Sequence, residues 1–175
     1  MQFVEYSAQG EDGVEAITEV ARHVHAFNRD NGNMLGIDFP EWAAGATLSV
    51  ARRIRVFGQA EPLRKFIAQP RALRLLGMGH VARSAVADAP ADAPLAAVVR
   101  DNAANKSKPA YIARQIARGG SGEMRKKVLP GFTLNVTSKT TGQAFELKMR
   151  KKDVEVGAVQ FNSYGLCAAG GLPQF

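Results

Sequence analysis

The sequence predicts an α+β protein in two parts, a ferredoxin-like βαββαβ unit followed by a smaller domain of one helix and a short antiparallel sheet. Three observations carry this. The first 86 residues alternate strand and helix periodicity, the stretch "ADAPADAPLA" at 87–96 has neither period, and the remaining chain holds one helical stripe followed by strand-like alternation.

Each element follows in order. "QFVEYSA" reads as a strand. From Val14 through Ile17, Val20, Ala21, Val24 and Phe27 the apolar spacing is helical, opened by Glu11, Asp12 and Glu15, whose charge suits a helix N-terminus, and "NRDNG" is expected to break it. "MLGIDF" reads as a strand stopped by Pro40, and "LSVARRIRVFG" alternates Val50, Arg52, Ile54 and Val56 as a half-buried strand does. "AEPLRKFIAQP" is a short helix with Pro62 in its first turn, and a last strand falls within residues 79–86. The order is that of a four-stranded antiparallel sheet with two helices on one face. The predicted divisions are 1–86 for this domain, 87–96 for a linker and 97–175 for the second domain.

After the linker, "NKSKPAYIARQIARGG" predicts a helix from about Ser107 to Arg118, with Pro109 in its first turn and Gly119 ending it. At about 100° per residue Tyr111, Arg114, Gln115 and Arg118 share one face, and Ile112, Ala113 and Ile116 share the opposite, packing face. The strands "FTLNVTS", "QAFELKMRK" and "VEVGAVQF" follow, the first two joined by the turn "SKTTGQ". In the middle one Phe145, Leu147 and Met149 alternate with Glu146, Lys148 and Arg150.

Charge narrows the function. Residues 1–96 carry 10 basic and 11 acidic side chains, residues 97–152 carry 13 and 3, and residues 153–175 carry 0 and 2, so the overall +7 is a local +10 in one central third. A field of that sign concentrated in one segment is the usual footprint of a polyanion, most often nucleic acid. No apolar run approaches the roughly 20 residues that span a bilayer and the start lacks the pattern of a signal peptide, so no membrane partner and a cytoplasmic location are expected. One cysteine, Cys167, and three histidines, His23, His25 and His80, give no metal-ligand spacing, so the expected chemistry uses neither metal nor cofactor.

No nucleophile triad, phosphate loop or carboxylate pair stands out. What remains is His23, His25, Tyr164 and the hydroxyls of Ser138, Thr140 and Thr141. A histidine near neutral pH can take the proton of a 2′-hydroxyl while hydroxyl groups orient it, which suffices for RNA to be cut by its own 2′-oxygen. Each group also has a plainer place: a boundary histidine, turn hydroxyls, a core tyrosine. The final stretch "NSYGLCAAGGLPQF" is glycine-rich behind its tyrosine, as a backbone that passes close to a neighbour would be.

The segment "TLNVTSKTTGQAFELKMRKKDVEV" with "FNSYGLCAAGGLPQF" resembles the CRISPR repeat endoribonuclease of type I-F systems. The matching residues are Thr141, Gly142, Gln143, Ala144 and Phe145, then Tyr164 to Leu166, Gly170, Gly171 and Phe175. "KSKP" before an arginine-bearing helix, "GIDFPEW" and "ARRIRVFG" extend the resemblance over nearly the whole chain, least clearly at 70–104. The resemblance implies an endonuclease that cuts precursor CRISPR RNA beside a repeat hairpin without metal and stays bound to the product with the other subunits of a type I-F complex. By position it implies His25 as the catalytic histidine with His23 as the alternative, Ser138 as the orienting serine, Thr140 at a second serine's place, Tyr164 as the pocket tyrosine and Phe145 as the aromatic stacked on the hairpin base. Arg114 and Arg118, with Gln115 and Tyr111 on the same face, match the groove-facing helix, while Gln115 and Gly119 stand where further arginines are expected. Lys106, Lys108 and the basic run 125–127 would compensate, and Arg100 and Asn102 are nearest to the pair that reads base edges. The alternatives are a non-catalytic hairpin-binding subunit and a basic RNA-binding scaffold.

Overall fold

The structure, a computed structural model, describes residues 1–101, 109–120, 131–137, 143–155 and 157–175. Its first half runs β1 (Gln2–Ala8), α1 (Gly13–Asn31), β2 (Gly36–Asp38), β3 (Arg53–Gly58), α2 (Ala60–Ile67), α3 (Pro70–Gly77) and β4 (Val81–Arg83). The strands make an antiparallel sheet in the order β2-β3-β1-β4, with α1 and α2 against β1 and β3. This is the ferredoxin-like arrangement that the sequence predicts.

Helix α1 buries Ile17, Val20, Ala21, Val24 and Phe27, the stripe read from its spacing. The helix ends within the segment 28–32, as expected, but only at its last residue: Asn28 to Asn31 form the final turn. Asn28 is fully buried; its side-chain amide donates to the Leu35 carbonyl at 2.7 Å and its amide oxygen accepts from the Leu35 N–H at 2.9 Å. Those tertiary bonds outweigh the weak helix preference of asparagine. Termination falls to Gly32, at φ 87°, whose N–H donates to the Asn28 carbonyl.

Three further expectations change. Strand β3 begins at Arg53 rather than near Leu48, and it is buried on both faces: Ile54 and Val56 face the main core, while Arg55 and Phe57 are covered by C-terminal residues. Arg55 tolerates this because Glu5 accepts from its Nε at 2.8 Å and the Phe175 ring lies 4.1 Å beneath its guanidinium. Helix α3, with Pro70 in its first turn, was not anticipated and buries Ala72 and Leu75. The stretch 87–96 is not wholly a connector, since β5 (Ala87–Asp88) pairs with β1 and Leu95 opens β6 (Leu95–Arg100).

In the second half, α4 (Pro109–Ile116) precedes β7 (Phe132–Thr137) and β8 (Ala144–Asp153); then come β9 (Gln160–Phe161), β10 (Cys167–Ala169) and β11 (Leu172–Pro173). The larger sheet has the order β11-β6-β8-β7, and β9 pairs with β10. Strand β6 escaped notice because "LAAVVR" is an apolar run without alternation, and among the described residues of "VEVGAVQF" only Gln160–Phe161 lie in a strand. The alternation read in β8 is present and runs on: Leu147, Met149 and Lys151 are all buried.

Lys151 thereby points its ammonium into the seam between the two sheets. Its Nζ lies 2.7 Å from Asp38 Oδ1 and donates to the Phe39 carbonyl at 3.2 Å, with the lysine side chain 1% and the aspartate 0% exposed. Desolvation pushes the Asp38 carboxyl above the usual carboxylate range, against the pull of Lys151. Around the pair one core runs across the seam, from Ile37, Phe39 and Trp42 to Phe132, Leu134, Val136, Leu147 and Met149. The Phe39 and Phe132 rings meet edge to face at 5.1 Å. Among the described residues no helix is long and apolar enough to cross a membrane.

Removing one partner of a buried pair leaves the other desolvated and uncompensated. Lys151→Met should therefore cost about 3–5 kcal/mol in urea unfolding, and the double variant Asp38→Leu/Lys151→Met should recover most of it.

Candidate active site at the seam

The C-terminal turn 162–166 is pinned against the first half by hydrogen bonds from several directions. Asn162 Oδ1 accepts from the N–H groups of Tyr164 at 2.9 Å and Leu166 at 3.2 Å, which closes the turn locally. The Gly165 carbonyl accepts from Ile37 N–H on β2 at 2.9 Å, and the Asn162 carbonyl accepts from Asn28 of α1 at 3.4 Å. Gly165 has φ 75°, and a Cβ there would stand 3.1 Å from Val24 and 3.2 Å from Ile37. Only glycine meets both demands comfortably. The segment is thus tied down, and Tyr164 sits in the turn that precedes β10.

This turn brings His25 and Tyr164 together. Their rings stack with centroids 4.1 Å apart and planes within 4°, and Phe145 of β8 stands edge-on to Tyr164 at 6.3 Å. His25 Nδ1–H donates to the Ser163 carbonyl at 3.0 Å. A carbonyl can only accept, so this bond fixes the tautomer and leaves Nε2 as the lone-pair nitrogen of the neutral ring. His25 is half-buried and lines an open depression of about 230 Å³ together with Glu19, Arg22, Arg29, Arg71 and Val136.

His23 is placed quite differently. It is 2% exposed, shares a hydrogen bond with Gln69 and packs against Phe66 at 4.6 Å. Two residues along a helix is about 200° of rotation, so when one histidine meets the seam the other turns into the helix layer.

The remaining expected residues fall elsewhere. Arg100 is exposed at the end of β6. Tyr111, Arg114 and Gln115 lie on α4, and Arg118 in the turn after it; Gly119, at φ 79°, ends the segment as expected. Of the packing face expected of α4, Ile112 is half-buried, Ala113 is exposed and Ile116 is 58% exposed, so none of the three is fully buried. Ser138 and Thr140 lie outside the described residues, as do Asn102, Lys106, Lys108 and the basic run 125–127. Among the described residues no group of three or more His, Cys, Asp or Glu is gathered as a metal site needs.

Sequence reasoning did not single out Arg22, Arg71, Glu19 or the Ser163 carbonyl. Arg22 and Arg29 were legible as helical neighbours of His25, three residues before and four after it, and Glu19 as the neighbour of Arg22, whereas Arg71 reaches the site through α3, which was not foreseen.

A ferredoxin-like sheet docked on a second sheet of strongly basic sequence, with a half-buried histidine at the seam, points to the class of proteins that process RNA. Comparison then gives the family: its profile, described as CRISPR-associated protein (Cas_Csy4), matches residues 12–175, and the chain belongs to that family. No curated protein matches the chain. Membership makes it a CRISPR-associated protein of precursor CRISPR RNA processing, an RNA-binding nuclease by family, whose partner is CRISPR repeat RNA.

Two outcomes test the site's construction. Gly165→Ala should cost about 1–3 kcal/mol in urea unfolding, because a left-handed backbone and close neighbours both oppose the new methyl. Burial pushes the Cys167 thiol beside this turn up to about 11, against the pull of a backbone hydrogen bond from Val98. A disulfide reagent should therefore label native protein very slowly at pH 8 and faster as pH approaches that value, while unfolded protein labels at once at pH 8.

Proposed function

We propose that the protein is a metal-independent endoribonuclease that cuts precursor CRISPR RNA at the base of the repeat hairpin, with His25 as the general base. In this reading Nε2 of His25 accepts the proton of the 2′-hydroxyl upstream of the scissile phosphate. The 2′-oxygen then bonds to phosphorus and the 5′-oxygen of the next nucleotide leaves, taking a proton from water, which gives a 2′,3′-cyclic phosphate or its hydrolysed 3′-phosphate, and a 5′-hydroxyl. The observation that carries the proposal is the Nδ1–H bond to the Ser163 carbonyl, because a base needs one nitrogen held and the other left to accept. Tyr164 keeps the imidazole plane fixed by stacking, Ser138 orients the 2′-hydroxyl and Thr140 assists it.

Phe145 would stack on the terminal base pair of the hairpin, next to Tyr164. Arg114, Arg118, Gln115 and Tyr111 would enter the hairpin's groove near its end, where a short A-form stem opens enough for side chains. Residues 111–116 of α4 are half-buried or exposed, which leaves them accessible for that use. Lys106 and Lys108 would add phosphate contacts, and Arg100 and Asn102 base contacts. The cleaved hairpin stays bound, and the protein joins other CRISPR-associated subunits of a type I-F complex in the cytoplasm.

The test is cleavage of repeat RNA in EDTA. His25→Ala should lower the rate by about 10²–10⁴-fold with hairpin affinity nearly unchanged, and a 2′-deoxy substitution at the cut should abolish cleavage. Full activity in His25→Ala, or dependence on a divalent ion, contradicts the proposal. Binding without cleavage by the unmodified protein would instead identify a non-catalytic hairpin-binding subunit.

A further inference from the structure

Residues 1–96 carry no excess positive charge, yet this part of the chain gathers three arginines beside His25. Arg22 and Arg29 come from α1 and Arg71 from α3, and with Glu19 they line the 230 Å³ depression; counting Asp30, which pairs with Arg29 at the rim, three guanidiniums and two carboxylates leave a net of +1. Glu19 accepts hydrogen bonds from Arg22 and from Arg71, the latter at 3.0 Å, and Arg22 also donates to the Asn135 carbonyl of β7 at 2.7 Å. Burial alone would raise the Glu19 carboxyl, but the hydrogen bonds from the two arginines outweigh it and hold the group below the usual carboxylate range. One carboxylate shared by two guanidiniums, each with five N–H donors, sets them in place and leaves donor capacity for further oxygens. Arg29 projects from the rim, 50% exposed, with Asp30 as its neighbour at 2.7 Å.

The two flanks of His25 differ in kind. One is aromatic, built by Tyr164 and Phe145; the other is the arginine-lined depression. A strand that is cut at His25 continues on both sides of the scissile phosphate. If the hairpin end takes the aromatic flank, the strand beyond the cut has the cationic one. We infer that the depression formed by Arg22, Arg29 and Arg71 is the exit path of the precursor strand downstream of the cut, binding one or two of its phosphodiesters. This rests on the endonuclease reading above. Contacts of this kind read no bases, so they favour a single strand of any sequence.

The experiment compares two RNAs with the same hairpin, one ending a single nucleotide beyond the cut and one extended by about ten. Two arginine–phosphate contacts should give the longer RNA an advantage of roughly tenfold in kcat/KM at low salt, fading as salt rises. In Arg29→Gln/Arg71→Gln that ratio should fall towards one. Affinity for the longer RNA, blocked by a 2′-deoxy nucleotide at the cut, should have a salt slope shallower by about 0.7 per arginine lost. A wild-type ratio near one, or a ratio that the double variant keeps, overturns the inference. A merely structural role slows both RNAs by one factor and so also overturns it. If the wild type cuts neither RNA, the endonuclease reading fails; the blocked RNAs, long against short, still report the exit path by affinity.

Discussion

An ammonium closed off from water needs an anion, and among the described residues Lys151 of the second sheet finds it in Asp38 of the first. The two halves are therefore joined in one register. A buried pair of this kind adds little net stability, because desolvation consumes most of the attraction, but any slip that separates the partners is heavily penalised. Phe39, Trp42 and Phe132 fill the seam beside it, so the apolar contacts and the charge select the same arrangement. Asp38 ends β2, and its neighbour Ile37 bonds to Gly165. The strand that carries the carboxylate is thus the strand that holds the C-terminal turn in place.

That turn is where fold becomes chemistry. His25 belongs to the first half and Tyr164 to the end of the second, 139 residues later, and their stacking exists only because the seam is closed. The imidazole is bounded by a ring on one face and a backbone carbonyl at Nδ1, both parts of a turn whose own hydrogen bonds are satisfied. Preorganisation of this kind limits the reorientation needed before a proton moves.

The sequence made much of this visible. Apolar spacing marked α1 and the βαββαβ order, and alternation marked β7 and β8. Its limits have physical causes. Strand β6 hides because a strand buried on both faces loses the period of two that betrays it, and β3, though found, was read as half-buried because only one of its covered faces shows in that period. Periodicity located both histidines but could not rank them, since which side of α1 meets the seam depends on the second sheet; the packing sends His23 into the core and His25 to the junction. Lys151 carried a signal that was available, a lysine in step with Leu147 and Met149 on the buried face, and a charge at such a position implies a partner. The arginines beside His25 could not be assembled from sequence, because Arg71 arrives from another helix.

The claim on which the rest turns is that His25 is held at Nδ1 and presents Nε2 as the accepting nitrogen. ¹⁵N NMR of the histidine ring nitrogens in the neutral form tests it directly. A protonated Nδ1 and an unprotonated Nε2 at His25 is the expected result; the opposite tautomer, or an even mixture of the two, would contradict it.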